Sequence, residues 1–155
     1  MPLSDDLVFD NSKTKLPDRG RLLGIDFGTV RIGLAICDPS QSIASPLTVY
    51  QSRSEKLDSQ FFSHLIAREQ IVGLVIGLPL HLSGQTSEKS AQASEFGRRL
   101  SEQTGLPIAW VDERFSTSMA RELLSQSTMS GKKKKAQLDK LAAQIILSVY
   151  LESIQ

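Results

Sequence analysis

The run from Val72 to Leu78 is apolar on both faces, which a strand buried between two layers requires and a strand with one wet face does not show. Covering elements must therefore lie above and below it, and the chain supplies them. A helix over residues 54–69 is expected from Leu57, Phe61 and Leu65, with Phe62 and Ile66 beside them, behind a Ser54 cap. A second over residues 86–103 is stopped by Gly105 and Pro107. Ser116 or Thr117 caps a short helix through Ser125, and residues 137–153 form the last. Residues 21–27 and 30–38 read as strands joined at Gly28-Thr29 in a hairpin. Ile43 to Tyr50 follows the Asp38-Pro39-Ser40 turn as a third, and Ile108 to Glu113 is the fifth after 72–78. Three meandering strands, then strands alternating with helices, predict an α/β fold with a five-stranded mixed sheet flanked by helices. It forms one domain over residues 21–155. Residues 1–20 lack the periodicity needed to pack and are expected to be a mobile tail.

A chain of 155 residues is long enough to bury about two thirds of its extended surface in one domain. With 18 basic and 17 acidic residues, attraction to a polyanion must come from local clustering and not from total charge. Cys37 is the single cysteine, which excludes an internal disulfide and fits a reducing compartment. It reads as a small buried strand residue. The apolar stretch Ile71 to Leu80, of about ten residues, is far short of the roughly 20 needed to span a bilayer. Asp5 and Asp6 near the start argue against a secretory signal. The expected location is the cytoplasm, with no membrane contact.

Three acids end or open apolar segments: Asp26, Glu113 and Asp139. Alternation decides which can share a face. Asp26 lies with Gly24 and Gly28, small residues that would leave room for an ion and a phosphate, while Leu23, Ile25 and Phe27 point the other way. Asp112 and Glu113 must diverge, and Asp112 is placed to pair with Arg114, so Glu113 is the better partner for Asp26. Asp139 is expected in the first turn of the last helix, on the side continued by Ala142, Ala143 and Ile146. Taken singly, each has an ordinary explanation: a helix dipole for Asp139, a turn for Asp26, a solvated strand end for Glu113.

Taken together, the residues resemble a known family. Asp26-Phe27-Gly28-Thr29-Val30-Arg31-Ile32-Gly33-Leu34-Ala35, then Gly77-Leu78-Pro79 with Gly84, then Asp112-Glu113-Arg114-Phe115-Ser116-Thr117 with Ala120, then Asp139 with Ala142-Ala143 and Ile146-Leu147, resemble the four signature blocks of the YqgF family. The resemblance spans about residues 21–153 in the right order. It implies a ribonuclease H-like fold, an acidic site at Asp26, Glu113 and Asp139, and nuclease activity on the precursor of 16S rRNA. Family members were also proposed to resolve Holliday junctions. The family's loop of Asn, a variable residue, Asp and Gly is His81-Leu82-Ser83-Gly84 here, so no Asn or Asp role carries over to it.

Clustered carboxylates repel by about 4 kcal/mol per pair at 4 Å and an effective dielectric of 20, so they stay ionised only with cations among them. Oxygen-only ligation suits Mg2+ or Mn2+, one ion or two, and disfavours zinc. With two ions, Asp26 would bridge and Glu113 and Asp139 flank it. Lys132, Lys133, Lys134 and Lys135 are expected in a mobile basic loop ahead of Asp139, where they would contact phosphates. Arg31 and Arg114 could reach a scissile phosphate. His81 is more readily incidental than a proton donor, and Trp110 packs rather than stacks on a base. The expected substrate is structured RNA or branched DNA, with ribosomal particles as partners, the chain acting as monomer or homodimer. Asp26-Phe27-Gly28-Thr29 also resembles the first phosphate loop of actin and the sugar kinases, but a second loop and second domain are lacking. A non-catalytic RNA-binding or transcription-associated adaptor built on the lysines is the remaining alternative.

Overall fold

A computed structural model describes residues 15–78, 88–112 and 131–155, with backbone alone at 131, 132 and 134–136. The chain opens with β1 (Arg21–Asp26), β2 (Arg31–Cys37) and β3 (Ala44–Gln51), which pair antiparallel in sequence. Helix α1 (Glu55–Glu69) leads to β4 (Ile71–Leu78), α2 (Glu88–Thr104) to β5 (Ile108–Asp112), and α3 (Gly131–Ser153) closes the chain. The sheet order is β3-β2-β1-β4-β5, with β4 parallel to both β1 and β5. The doubly apolar strand is thus an inner one, as its composition requires.

Strand alternation divides the interior into two cores. Leu22, Ala35, Cys37, Val75, Ala109 and Val111 face Ala143, Ile146, Leu147 and Tyr150 of α3. Leu23, Ile25, Leu34, Leu74 and Ile76 face Phe62 and Leu65 of α1 and Leu100 of α2. Trp110 packs against this second core, and Gly97 admits it, since a Cβ there would lie 2.5 Å from the indole Cη2. Cys37 is buried and accepts the Leu22 N–H at 3.2 Å.

Local chemistry sets the ends of α1. Ser54 caps its start by accepting the Leu57 N–H, and Gln70 ends it in the left-handed region at φ 55°. The buried stripe is Phe62 and Leu65, while Leu57 in the first turn stays 45% exposed. In the described end of the expected tail, Lys15, Pro17, Asp18 and Arg19 are exposed and Leu16 is not. Leu16 is buried in the α3-side core, and Gln41 Nε2 donates to the carbonyls of Pro17 and Gly20. Core contacts therefore include Leu16, before β1.

The last helix starts at Gly131 rather than 137. Lys132 to Lys135 are consequently helical, not a loop, and Asp139 lies past the second turn instead of in the first. Lysine is a good helix former, and that propensity prevails over the mutual repulsion of four like charges. The short helix expected after Ser116 lies outside the described residues. No helix among the described residues is long and apolar enough to cross a membrane.

Asp58 ties the end of β3 to α1. It accepts hydrogen bonds from Tyr50 Oη at 2.6 Å, Ser52 Oγ at 2.5 Å and the Arg53 N–H at 2.9 Å. Burial pushes its carboxyl up, but the bonds from Ser52, Tyr50 and Arg53 outweigh it and hold the carboxyl below its ordinary value. A depressed carboxyl stabilises the fold above its unfolded pKa of about 4 and loses that contribution as pH falls through the folded value. Asp58→Asn should lower Tm by about 3–6 °C at pH 7, and the gap to wild type should shrink below about pH 4, as thermal denaturation across pH would reveal.

Candidate active site

Asp26 ends β1, and its directly opposed partner on β2 is Gly33. Opposed residues of an antiparallel pair project to the same side of the sheet. Leu22 belongs to the α3-side core and Leu23 and Ile25 to the other, so Asp26 shares the α3 face with Leu22. At Gly33 the helix backbone comes down onto the strand. A Cβ there would lie 2.2 Å from the carbonyl oxygen of Asp139 and 3.4 Å from its Cβ. Opposed Cβ positions are within about 5.5 Å, which puts the Cβ atoms of Asp26 and Asp139 no more than about 9 Å apart. Two of the three expected acids, 113 positions apart in the chain by 139 − 26, are therefore neighbours.

Glycines make this approach, in a role other than the one expected for them. The space beside Gly24 is occupied by Leu147 Cβ, 2.8 Å from where a Cβ would sit, and by the Ala143 carbonyl oxygen at 3.0 Å; the space beside Gly28 is taken by the Arg31 carbonyl oxygen at 2.4 Å. These positions admit the helix and the hairpin turn, not a phosphate. Gly33 is the residue that sequence reasoning passes over. Its signal is its place in the hairpin, opposite Asp26.

Arg31, expected at a phosphate, donates from Nε to Asp139 Oδ2 at 3.0 Å, with the side chains 36% and 21% exposed. Asp112 is buried at the end of β5. Glu113, Arg114 and His81 lie outside the described residues. Lys133 is exposed; Lys132, Lys134 and Lys135 are described by their helical backbone only. Among the described residues no group of three His, Cys, Asp or Glu side chains forms a metal site. Asp26 and Asp139 bring two carboxylates to one face, and that donor chemistry fits a hard divalent ion.

A separate cavity of about 590 Å³ opens between α1 and α2, floored by Phe27, Phe62, Phe96 and Leu100. Phe27 follows Asp26 and so faces the opposite way. The cavity lies across the sheet from the carboxylates.

The fold is that of the ribonuclease H-like resolvases. Thermus thermophilus RuvC, solved in complex with a Holliday junction substrate, matches at TM-score 0.54 and 13% identity over 86% of this chain and 96% of its own. The Fowlpox virus resolvase with Holliday junction DNA matches at TM-score 0.51 and 14% identity over 86% and 98%. At such identities the likeness concerns the fold alone. The chain belongs to the RuvX family, described as Holliday junction resolvase, whose model matches residues 20–153; this is the family its signature blocks resemble under the name YqgF. A Rhodopirellula baltica protein provisionally named pre-16S rRNA nuclease is 44% identical over 137 residues, covering 88% of this chain and 79% of that protein. A Neisseria gonorrhoeae protein of the same name is 39% identical over 138 residues, covering 89% and 91%.

The contact at Gly33 is with backbone, which cannot swing aside. Gly33→Ala should cost about 1–3 kcal/mol, seen as a Tm lowered by roughly 3–10 °C, and an unchanged Tm would mean that α3 is free to lift from the sheet.

Proposed function

We propose that the chain is a metal-dependent phosphodiester hydrolase that processes the 5′ end of pre-16S rRNA during ribosome biogenesis in the cytoplasm. The observation that carries the site is the approach of Asp139 to Asp26 across Gly33 on the α3 face. Family membership and the shared name of relatives more than one third identical support the reaction class and substrate.

Asp26, Asp139 and Glu113 are the proposed ligands of Mg2+ or Mn2+. Glu113 is proposed as the third carboxylate on the family resemblance, since Asp112-Glu113-Arg114 stands in one of its signature blocks. The chemistry that such an ion would supply when held there is activation of a water for attack on phosphorus and stabilisation of the leaving oxygen. The residues themselves fix direction. Asp26 projects from the end of a strand paired on both sides, and Asp139 from a helix seated on that sheet, so neither need reorganise greatly to receive an ion.

Lys132 to Lys135 are the proposed phosphate contacts, with Arg114 near the scissile group. Four cations in the opening turns of a helix oppose its dipole, an arrangement that bound polyanion would relieve. Lysines read phosphates rather than bases, so target choice rests with RNA shape or with the ribosomal particle that presents it. The family description favours a second reading, resolution of branched DNA.

Wild type and Asp26→Asn should be compared with Mg2+ or Mn2+ on a 16S precursor and on a four-way DNA junction. The expected result is metal-dependent cutting of RNA, reduced at least about 1,000-fold in the variant. Cutting of the junction alone would favour the resolvase, and full activity of Asp26→Asn would sink the metal mechanism. Replacing Lys132 to Lys135 with Ser should flatten the dependence of log K on log salt by about 0.7–0.9 for every phosphate that is no longer neutralised. An unchanged slope in a binding titration would remove the lysines from the interface.

A further inference from the structure

The ion pair between Arg31 and Asp139 differs in kind from those along the helix surface. Arg98 pairs with Glu95 and Glu102 along one exposed face of α2. Arg31, by contrast, opens β2 and reaches a carboxylate on α3, 108 positions away. It does so through a single bond from Nε to Oδ2 at 3.0 Å, short of the two-point fork that guanidinium and carboxylate can form. Both side chains are partly open to solvent, at 36% and 21%, so water and ions can reach them.

Asp139 has little freedom to avoid Asp26. Its backbone is pressed against Gly33, which faces Asp26 across the hairpin, so two carboxyl groups are held on one face. Arg31 sets a positive charge beside them, bonded to Asp139. A divalent ion carries twice that charge.

We propose that Arg31 is the resident counter-cation of the site: it holds the Asp139 carboxylate while no divalent ion is present, yields it when one binds, and is then free to take the substrate phosphate. Arg31 is thus a positioning residue in the metal-free protein and a phosphate contact in the loaded one. The inference rests on the metal reading above. A single exposed bond allows exchange, and the fork geometry of guanidinium matches two phosphate oxygens once the carboxylate is released.

Mn2+ binding to the full-length chain, followed by electron paramagnetic resonance, tests it on wild type, Arg31→Gln, Arg31→Lys and Asp26→Asn. Arg31→Gln should bind Mn2+ about three- to tenfold more tightly than wild type, because no resident cation has to leave. Its Tm in EDTA should fall below that of wild type, and Mn2+ should narrow the gap. Arg31→Lys keeps the charge and loses the fork, so its Mn2+ affinity should stay near wild type while RNA affinity of the loaded protein drops about three- to tenfold. Equal or weaker Mn2+ binding by a folded Arg31→Gln would overturn the counter-cation role and leave the metal reading standing. Should Arg31→Gln fail to fold, a large change in Mn2+ affinity in Arg31→Lys would overturn it instead. Wild type that binds no Mn2+, or binding indifferent to Asp26→Asn, would overturn the metal reading and this inference with it.

Discussion

The seating of the α3 backbone on the sheet at Gly24 and Gly33 is the constraint on which the rest depends. At both points a carbonyl or Cβ of the helix occupies the volume that any side chain on the strand would fill. That contact is steric, and it limits how the helix axis can lie over β1 and β2. Once it is made, Asp139 has to stand over the hairpin, and Arg31, at the start of β2, comes within reach of it.

The two faces of the sheet solve different problems. On the α1 and α2 side the core is built from large groups, and Phe27, Phe96, Phe62, Phe61 and Tyr50 form a chain of ring contacts with centroids 3.9–5.9 Å apart. Such packing buries much apolar area and holds the helices at a distance. On the other side Ala35, Ala109, Ala142 and Ala143 are small and buried, and backbones approach closely. The bulky face stabilises; the thin face lets charged groups from distant segments meet.

Extending α3 back to Gly131 joins two features that the sequence pattern separates. Lys132 and Asp139 are on one rigid rod, about 10 Å apart along its axis, instead of on a loop and a helix. Phosphate binding and metal binding would then share a frame, and a change in the tilt of α3 would move both. Four lysines at the positive end of the helix dipole also cost some stability.

Much of this was legible from the residues. Leu74, Val75 and Ile76 in a doubly apolar run marked an inner strand, Ser54 marked the start of α1, and the alternation of Gly24, Ile25 and Asp26 determined which way the first acid points, because these signals act over a few residues and need no partner. The four signature blocks added the family. Three things were settled only by tertiary packing: that Leu16 belongs to the core, that Gly24 and Gly33 are spent on the helix and not on a ligand, and that Arg31 meets Asp139 rather than solvent. Each depends on segments far apart in the chain approaching to within van der Waals distance, and no local periodicity encodes that. The sequence by itself determined the strands, their faces and the side to which Asp26 points; the packing of α3 decided which groups are its neighbours, since steric exclusion between backbones is a property of the folded whole.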